Sequence, residues 1–193
     1  MTTYKIILAY LSIVIGIIGY IPYFRGIFSG KTKPHAFSWL VWSLLVGITF
    51  AAQLTSGGGA GAWVTGFTAT VCFIIFLLSF AKGDKHFILF DWVALGMALL
   101  ALALWRVTND PTLSVILLTL TDALSFLPTL RKGFYKPHED SPILWALTVT
   151  KWTLSMFALQ SFSLVTLLYP VYLIIINAFF TVLLIVRKKQ VAV

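Results

Sequence analysis

The sequence predicts an all-α protein that crosses a membrane several times, and its composition is the first reason. Of the 193 residues, 60% are hydrophobic and only 10% are charged, whereas a soluble domain carries about 25% charged residues. The shortage of charge extends over the whole length of the chain. We therefore expect a multi-pass integral membrane protein, which in a prokaryote would lie in the plasma membrane.

The second reason is the recurrence of seven apolar stretches, since a helical membrane span needs roughly 20 residues. These stretches lack the strict alternation of barrel strands and are too long for them, so we predict helices. No small-residue cleavage site follows the first stretch, which favours a retained span over a signal peptide. The predicted spans are residues 6–24, 36–54, 62–81, 87–105, 111–130, 142–160 and 164–186.

The third reason is the distribution of basic residues between the spans. With the N-terminus outside, the inner segments hold eleven lysines and arginines, and the outer segments hold only Lys5 and Arg106. Cytoplasmic loops carry such an excess, so the N-terminus is predicted outside and the C-terminus in the cytoplasm. The same placement accounts for the net charge of +8 without a nucleic-acid partner.

Several kinds of site are not predicted. Cys72 is the single cysteine, so no intramolecular disulfide forms. The glycine run at 57–59 lacks the lysine of a phosphate loop and is interpreted as a flexible turn. His35 and His138 lie in loops without further metal ligands, so no metal or other cofactor is expected. No acid–base pair accompanies an obvious nucleophile, which argues against an enzyme.

An internal repeat is indicated when the chain is laid over itself with a shift of about 106 residues, as repeats underlie many transporters. The repeats would cover 1–82 and 109–193, joined by a linker helix within 83–108. One connecting helix returns the chain to its starting side, so the copies would run parallel. Chance similarity between apolar hairpins is the alternative. The matched pairs are Pro22 with Pro128, Arg25 with Arg131, and Trp39 with Trp145.

The segments 19–25 and 125–131 each place a proline near the inner end of a first helix, before a basic loop. This pattern resembles the PQ-loop and SWEET transporter superfamily, although Tyr23 and Thr129 replace its usual glutamine. The resemblance implies seven transmembrane helices in a three-plus-one-plus-three arrangement. It also implies a function within a family that includes sugar facilitators, proton-coupled amino-acid exporters and a peptide-retrieval receptor.

Asp122, Lys151 and Asn177 each lie about halfway along a predicted span. A charge at the bilayer centre costs at least roughly 2.5–3.5 kcal/mol and usually marks a functional site. At about 1.5 Å per residue, the three side chains lie near one plane. We predict that Asp122 and Lys151 approach each other or share a cavity that takes a solute or a proton. A structural ion pair is the alternative.

Further candidates follow from the repeat. The positions that match the polar set are Gly16, Leu45 and about Thr70, so only the second repeat carries charges, and Thr70 joins the predicted site. Trp42 and Trp152 are predicted aromatic walls, with packing or lipid-facing positions as the alternative.

Hinge or gate residues are predicted near the inner ends of the first and fifth spans. The prolines there each remove a backbone hydrogen bond, although a static kink is the alternative. The arginines contact lipid phosphates or, as the alternative, an inner gate. The hinge and gate candidates are Pro22, Pro128, Gly19, Arg25 and Arg131.

Together these features predict a small-solute transporter that works by alternating access, with the solute and the lipid bilayer as its partners. An amino-acid-like solute and proton coupling are favoured, because the site offers an acid, a base and an amide. A SWEET-type sugar facilitator is one alternative, and a non-transporting receptor for a carboxylate-bearing ligand is another. A retinal protein would need its lysine on the last helix, whereas Lys151 is on the sixth.

Overall fold

The computed structural model describes residues 3–30, 34, 36–83, 89–135, 137 and 142–191. These residues form α-helices and contain no β-strand, which confirms the predicted all-α class. The helices are α1 (Thr3–Phe28), α2 (Ala36–Thr55), α3 (Ala60–Lys82), α4 (Leu89–Thr108), α5 (Pro111–Tyr135), α6 (Pro142–Ala158) and α7 (Leu164–Val191).

Four of these helices are long and apolar enough to cross a membrane, namely α1, α2, α3 and α7. Shorter apolar helical segments of α4 and α5 cover Leu95–Thr108 and Pro111–Leu127. Large apolar side chains such as Ile7, Tyr10 and Phe179 are exposed on the outside of the bundle, as expected of a surface that faces lipid. An integral membrane protein is therefore consistent with the fold, while the number of seven spans stays a prediction.

The helix boundaries differ most from the prediction at the polar ends. α1, α5 and α7 each continue several residues beyond their apolar stretch, and Arg25 and Lys188 lie in the last turns of α1 and α7. Basic side chains are favourable there because a helix C-terminus carries partial negative charge. α1 also continues past Pro22 to Phe28, so the helix has no break at this proline.

The helices pack in the same order in both halves of the chain. In the N-terminal group (α1, α2 and α3), α3 packs along both other helices, whereas α1 and α2 meet through side chains, with the Trp39 indole N–H donating to the Tyr23 hydroxyl at 3.1 Å. In the C-terminal group (α5, α6 and α7), α7 likewise lies between α5 and α6. The groups meet through the pairs α1–α6, α2–α5, α3–α6 and α2–α7, while α4 packs on α5 and α2.

One end of the bundle, which we call the Arg187 end, carries two similar contacts. The Lys82 ammonium donates to the Phe28 carbonyl at 3.1 Å and lies 5.5 Å from the centre of its ring. The Arg187 guanidinium donates to the Phe134 carbonyl at 3.0 Å and lies 4.0 Å from the centre of its ring. In each group, therefore, a basic side chain from the third helix caps the C-terminus of the first helix.

The opposite end, which we call the Lys5 end, joins the loops 56–59 and 159–163. Gln160 N donates to the Gly58 carbonyl at 3.0 Å, and the Lys5 ammonium donates to the Leu159 carbonyl at 2.6 Å. A Cβ at Gly61 would lie 2.6 Å from the Ser155 carbonyl oxygen. Only glycine therefore lets the start of α3 approach the end of α6 so closely.

Pro170 interrupts the hydrogen-bond ladder of α7 from within the helix. Because proline has no backbone N–H, the carbonyl four residues earlier, at Thr166, loses its usual donor. The buried Gln53 side chain of α2 supplies that donor, with Nε2 at 3.1 Å from the Thr166 oxygen. A side chain of the N-terminal group thus completes a helix of the C-terminal group.

The start of α5 is stabilised locally. The Asp110 carboxylate accepts a hydrogen bond from the Thr112 backbone N–H at 2.8 Å, as an N-cap residue does. The hydrogen bonds from Thr112 hold the pKa of the exposed Asp110 carboxyl below its ordinary value. This cap fixes the point at which α5, and with it Asp122, enters the bundle.

Candidate functional site

Asp122, Lys151 and Asn177 all lie inside the bundle, each with 3% of its surface exposed. They are on α5, α6 and α7. Within the described part of the chain, Asp122 and Lys151 are the only charged side chains that are buried. The prediction that these three residues face the interior, and not lipid, is therefore supported.

The Lys151 ammonium lies among one hydroxyl group and two aromatic rings. Its Nζ donates a hydrogen bond to Thr68 Oγ1 at 3.2 Å, and the Thr68 hydroxyl in turn donates to the Val64 carbonyl at 2.9 Å. The same Nζ lies 4.5 Å from the centre of the Trp152 ring and 5.6 Å from that of Tyr20. Cation–π attraction to both rings stabilises the buried charge.

The stem of the Lys151 side chain lies against α1, where small residues leave room for it. A Cβ at Gly16 would lie 3.1 Å from Lys151 Cδ and 3.2 Å from the Phe67 ring. One turn earlier, the Ser12 hydroxyl donates to the Lys151 backbone carbonyl at 2.6 Å. Small residues allow helices in a membrane to approach closely, and here they bring α1 of the N-terminal group against the lysine.

Asp122 lies in a different, aromatic environment on the far side of α7. The Trp42 indole N–H faces its carboxylate. The Tyr172 hydroxyl also faces the carboxylate but falls short of full hydrogen-bond geometry, so its oxygen has no hydrogen-bond partner among the described residues. The buried Tyr169 lies within electrostatic range of the same carboxylate.

Asp122 and Lys151 do not form an ion pair. The reason is the packing order, because α7 lies between the two helices that carry them. Three aromatic rings follow one another between the two charges: Trp152 and Tyr169 have ring centres 6.2 Å apart, and Tyr169 and Tyr172 are 6.1 Å apart. The inference that opposite charges on consecutive helices approach each other is therefore wrong for direct contact.

The Asn177 side chain makes its hydrogen bond within its own helix. Its Nδ2 donates to the Leu173 carbonyl one turn earlier, at 2.6 Å. No contact in the described residues joins this amide to Asp122 or Lys151. A role for Asn177 in orienting a ligand therefore stays a prediction.

The remaining predicted site residues divide into two sets. Trp42 and Trp152 each contact one of the buried charges, as described above. Thr70 does not belong to the site, because it is exposed and its hydroxyl donates to the Gly66 carbonyl at 3.0 Å. Thr68 takes its place, since residues two apart on a helix point to different sides.

The predicted hinge and gate residues are only partly described. Gly19 is buried, and a Cβ there would lie 3.5 Å from Leu144 Cδ1 of α6. Pro22 and Arg25 are exposed on α1. The side chains of Pro128 and Arg131 lie outside the described residues. The roles of all these residues as hinge or gate stay predictions.

A narrow cleft between α1 and α6 reaches Lys151. Its volume is about 20 Å³, which suits a water molecule and is far below the several hundred Å³ of a small-molecule pocket. Asp122, Trp42 and Tyr172 are not among its walls. The cleft is lined by Ile15, Gly16, Gly19, Tyr20, Leu144, Leu147, Thr148 and Lys151.

Sequence reasoning missed Thr68, Tyr20 and Tyr172, which contact the two charges. One signal for Tyr20 was available, because it lies four residues after Gly16 and so on the same face of α1. Thr68 and Tyr172 could be chosen only by knowing which faces of α3 and α7 turn inward, and both helices carry apolar residues on all sides.

No protein-family model, curated protein or solved structure matches the chain.

Proposed function

We propose that the chain is a seven-span transporter for a small polar solute, built as three plus one plus three helices with the N-terminus outside. The observation that supports this most strongly is the pair of buried, unpaired charges, one at each of two contacts between the helix groups. Lys151 lies at the α1–α6 contact and Asp122 on the helix that contacts α2. Ionisable groups inside membranes are expected to serve function.

The proposed repeat architecture is supported by the packing and by the buried clusters. Each contact between the groups has a counterpart when α1, α2 and α3 are exchanged with α5, α6 and α7. The buried clusters at the Arg187 end also correspond under shifts of 105 and 106 residues. The corresponding pairs are Tyr20 with Phe126, Phe24 with Leu130, Trp39 with Trp145, Val71 with Ile176, Ile75 with Phe180, and Leu78 with Leu183.

The chemistry of the solute is proposed from the two charges. A buried charge without an oppositely charged partner is strongly unfavourable, and the neighbours of Asp122 and Lys151 are hydroxyl groups and aromatic rings. A solute that carries both an ammonium and a carboxylate, or a carboxylate together with a proton on Asp122, would neutralise both groups. This favours an amino-acid-like solute over a neutral sugar, which needs neither charge.

The mechanism that we propose is alternating access, in which the N-terminal group moves against the C-terminal group. The loops of the Lys5 end are hydrogen-bonded to each other across the groups, and the cleft at Lys151 holds no more than water. The conformation therefore corresponds to one closed at the proposed outer side. Separation of α1 from α6 would widen the cleft and admit solute to Lys151.

A receptor of the same fold is the second candidate function. The specific observation in its favour is the close packing of the Lys5 end, where Gly61 leaves no space between α3 and α6. A protein that binds a carboxylate-bearing ligand without transporting it would not need to open this end. Flux across a membrane distinguishes the two functions.

The experiment is uptake of labelled amino acids and sugars into proteoliposomes, with and without an inward proton gradient. We expect amino-acid uptake that Lys151→Gln and Asp122→Asn each reduce at least about tenfold, the loss expected when a hydrogen bond to a charged group is removed. Lys189→Gln is the matched control, because Lys189 is exposed at the end of α7. Ligand binding without any flux would contradict transport, and uptake of sugars alone would contradict the amino-acid-like solute.

A further inference from the structure

The Lys151 ammonium has hydrogen-bonding capacity that the protein does not use. An ammonium group has three N–H donors, and among the described residues its one hydrogen bond goes to Thr68. The two rings beside it, Trp152 and Tyr20, stabilise charge but accept no ordinary hydrogen bond. Asp122, the other buried charge, lies beyond α7 and does not compensate it.

The second observation is that Lys151 lines the cleft between α1 and α6, with the stem of its side chain against Gly16. Only 3% of the surface of Lys151 is exposed, yet the residue forms part of the wall of that cleft together with Thr148. The small residues Gly16 and Gly19 form the opposite wall. A cation, a hydroxyl-bearing residue and an opening bounded by glycine thus occur together, and the described lining contains no acidic residue.

We propose that the α1–α6 cleft, once widened by separation of these two helices, is a carboxylate-binding subsite, in which Lys151 contacts the carboxylate of the solute and Asp122 does not share that site. This proposal rests on the transport function and refines it, because it divides the two charges between two locations. The carboxylate would accept the unused donors of Lys151, and its apolar or ammonium-bearing remainder would extend between the helix groups. Charge-assisted hydrogen bonds of this kind are about twice as strong as neutral ones.

The test uses the full-length protein in lipid nanodiscs and measures its thermal midpoint, because a ligand of the folded state raises that midpoint. The probes are acetate, glycine, acetamide and chloride at equal ionic strength. Acetate and glycine are expected to raise the midpoint, while acetamide and chloride leave it unchanged. An equal effect of chloride and acetate would overturn the carboxylate specificity.

Four variants locate the effect. Lys151→Gln is expected to abolish the response to acetate, and Lys151→Arg to retain it, so that loss of folding and loss of the cation are separated. Gly16→Ala is expected to weaken acetate binding about tenfold, because a Cβ there displaces the stem of Lys151. Gly47→Ala is the matched control, since Gly47 lies on α2 outside the cleft and a Cβ there would meet no heavy atom within 4 Å.

Two further outcomes bear on the source of the carboxylate and on the underlying function. A preference for octanoate over acetate would assign the subsite to a lipid and contradict a water-soluble ligand. An acetate response that persists in Lys151→Gln would overturn the subsite, even if amino-acid flux is intact. Acetate binding that depends on Lys151, without flux of any solute, would contradict transport and leave the subsite standing.

Discussion

The two helix groups are most alike at the Arg187 end and least alike at mid-depth. At the Arg187 end, buried aromatic and aliphatic residues occupy matching positions, and Lys82 and Arg187 make matching contacts with Phe28 and Phe134. At mid-depth, Gly16, Leu45 and Cys72 stand where the C-terminal group has charged and amide side chains. The helix packing is thus similar in both groups, whereas the polar chemistry is present in one.

This difference explains where the charges lie. The counterpart of Asp122 is Gly16, and Gly16 contacts Lys151 across the α1–α6 interface. By the same relation, Asp122 lies on the helix that meets α2, whose Leu45 is the counterpart of Lys151. Each contact between the groups therefore combines one charged and one uncharged residue, and an ion pair cannot form at either of them.

At the Arg187 end, the two groups differ in one pair of packed residues, where two medium-sized side chains are replaced by a small one and a large one. Ile27 and Ile75 are buried in the N-terminal group, and their counterparts are Gly133 and Phe180. An added Cβ at Gly133 would collide with the Phe180 ring. The large ring on α7 is therefore accommodated by the absent side chain on α5.

The largest effect is expected when a large side chain replaces the glycine that makes room for the Phe180 ring. Gly133→Ile should lower the free energy of unfolding by roughly 1–3 kcal/mol or more, the cost of overpacking a core. The double variant Gly133→Ile with Phe180→Ile copies the pair of the N-terminal group and should recover most of the loss. The measurement is unfolding by denaturant in mixed micelles. Failure of the second substitution to rescue the first would show that the two cores are not interchangeable.

A double-mutant cycle is a sharper test of the separated charges. Asp122→Asn, Lys151→Met and the double variant are compared with the parent protein by the same measurement. Because the side chains do not touch, their coupling energy should lie within about 0.5 kcal/mol of zero. A coupling above about 1 kcal/mol would mean that the two groups interact directly in the membrane.

The two caps at the Arg187 end should each make a modest contribution to stability. Lys82→Met and Arg187→Met should each destabilise by about 0.5–1.5 kcal/mol, as expected for one hydrogen bond. Arg187→Met should cost more, because its guanidinium lies closer to its ring, at 4.0 Å against 5.5 Å. The thermal midpoint in micelles measures both, with Lys189→Met as a control. A larger loss for Lys82→Met would contradict the ranking.

The sequence was sufficient for the helical class and for the burial of the three mid-depth polar residues. Both follow from hydropathy, since an apolar stretch of this length must satisfy its backbone as a helix and must turn its polar groups away from lipid. Neighbour relations were not available in the same way. Spacing along the chain suggested that Asp122 and Lys151 meet, but the third helix of each group packs between the first and second.

The misplaced Thr70 has a related cause. The first helices of the two groups correspond under a shift of 106 residues, as Phe28 and Phe134 show. The third helices correspond under a shift of 105, as Ile75 and Phe180 show. The counterpart of Asn177 is therefore Cys72, which a single shift for the whole repeat does not give. Thr70 lies two residues before that counterpart, and each residue turns a helical side chain by about 100°.

The hydrogen bond from Gln53 to the Thr166 carbonyl has a mechanical consequence. Pro170 leaves the Thr166 carbonyl of α7 without its backbone donor, and Gln53 of α2 supplies a donor from outside the helix. The conformation of α7 near Pro170 therefore depends on how closely α2 of the N-terminal group packs against it. If they part there, the carbonyl loses its donor, and α7 becomes free to bend beside the aromatic residues that separate the acid from the base.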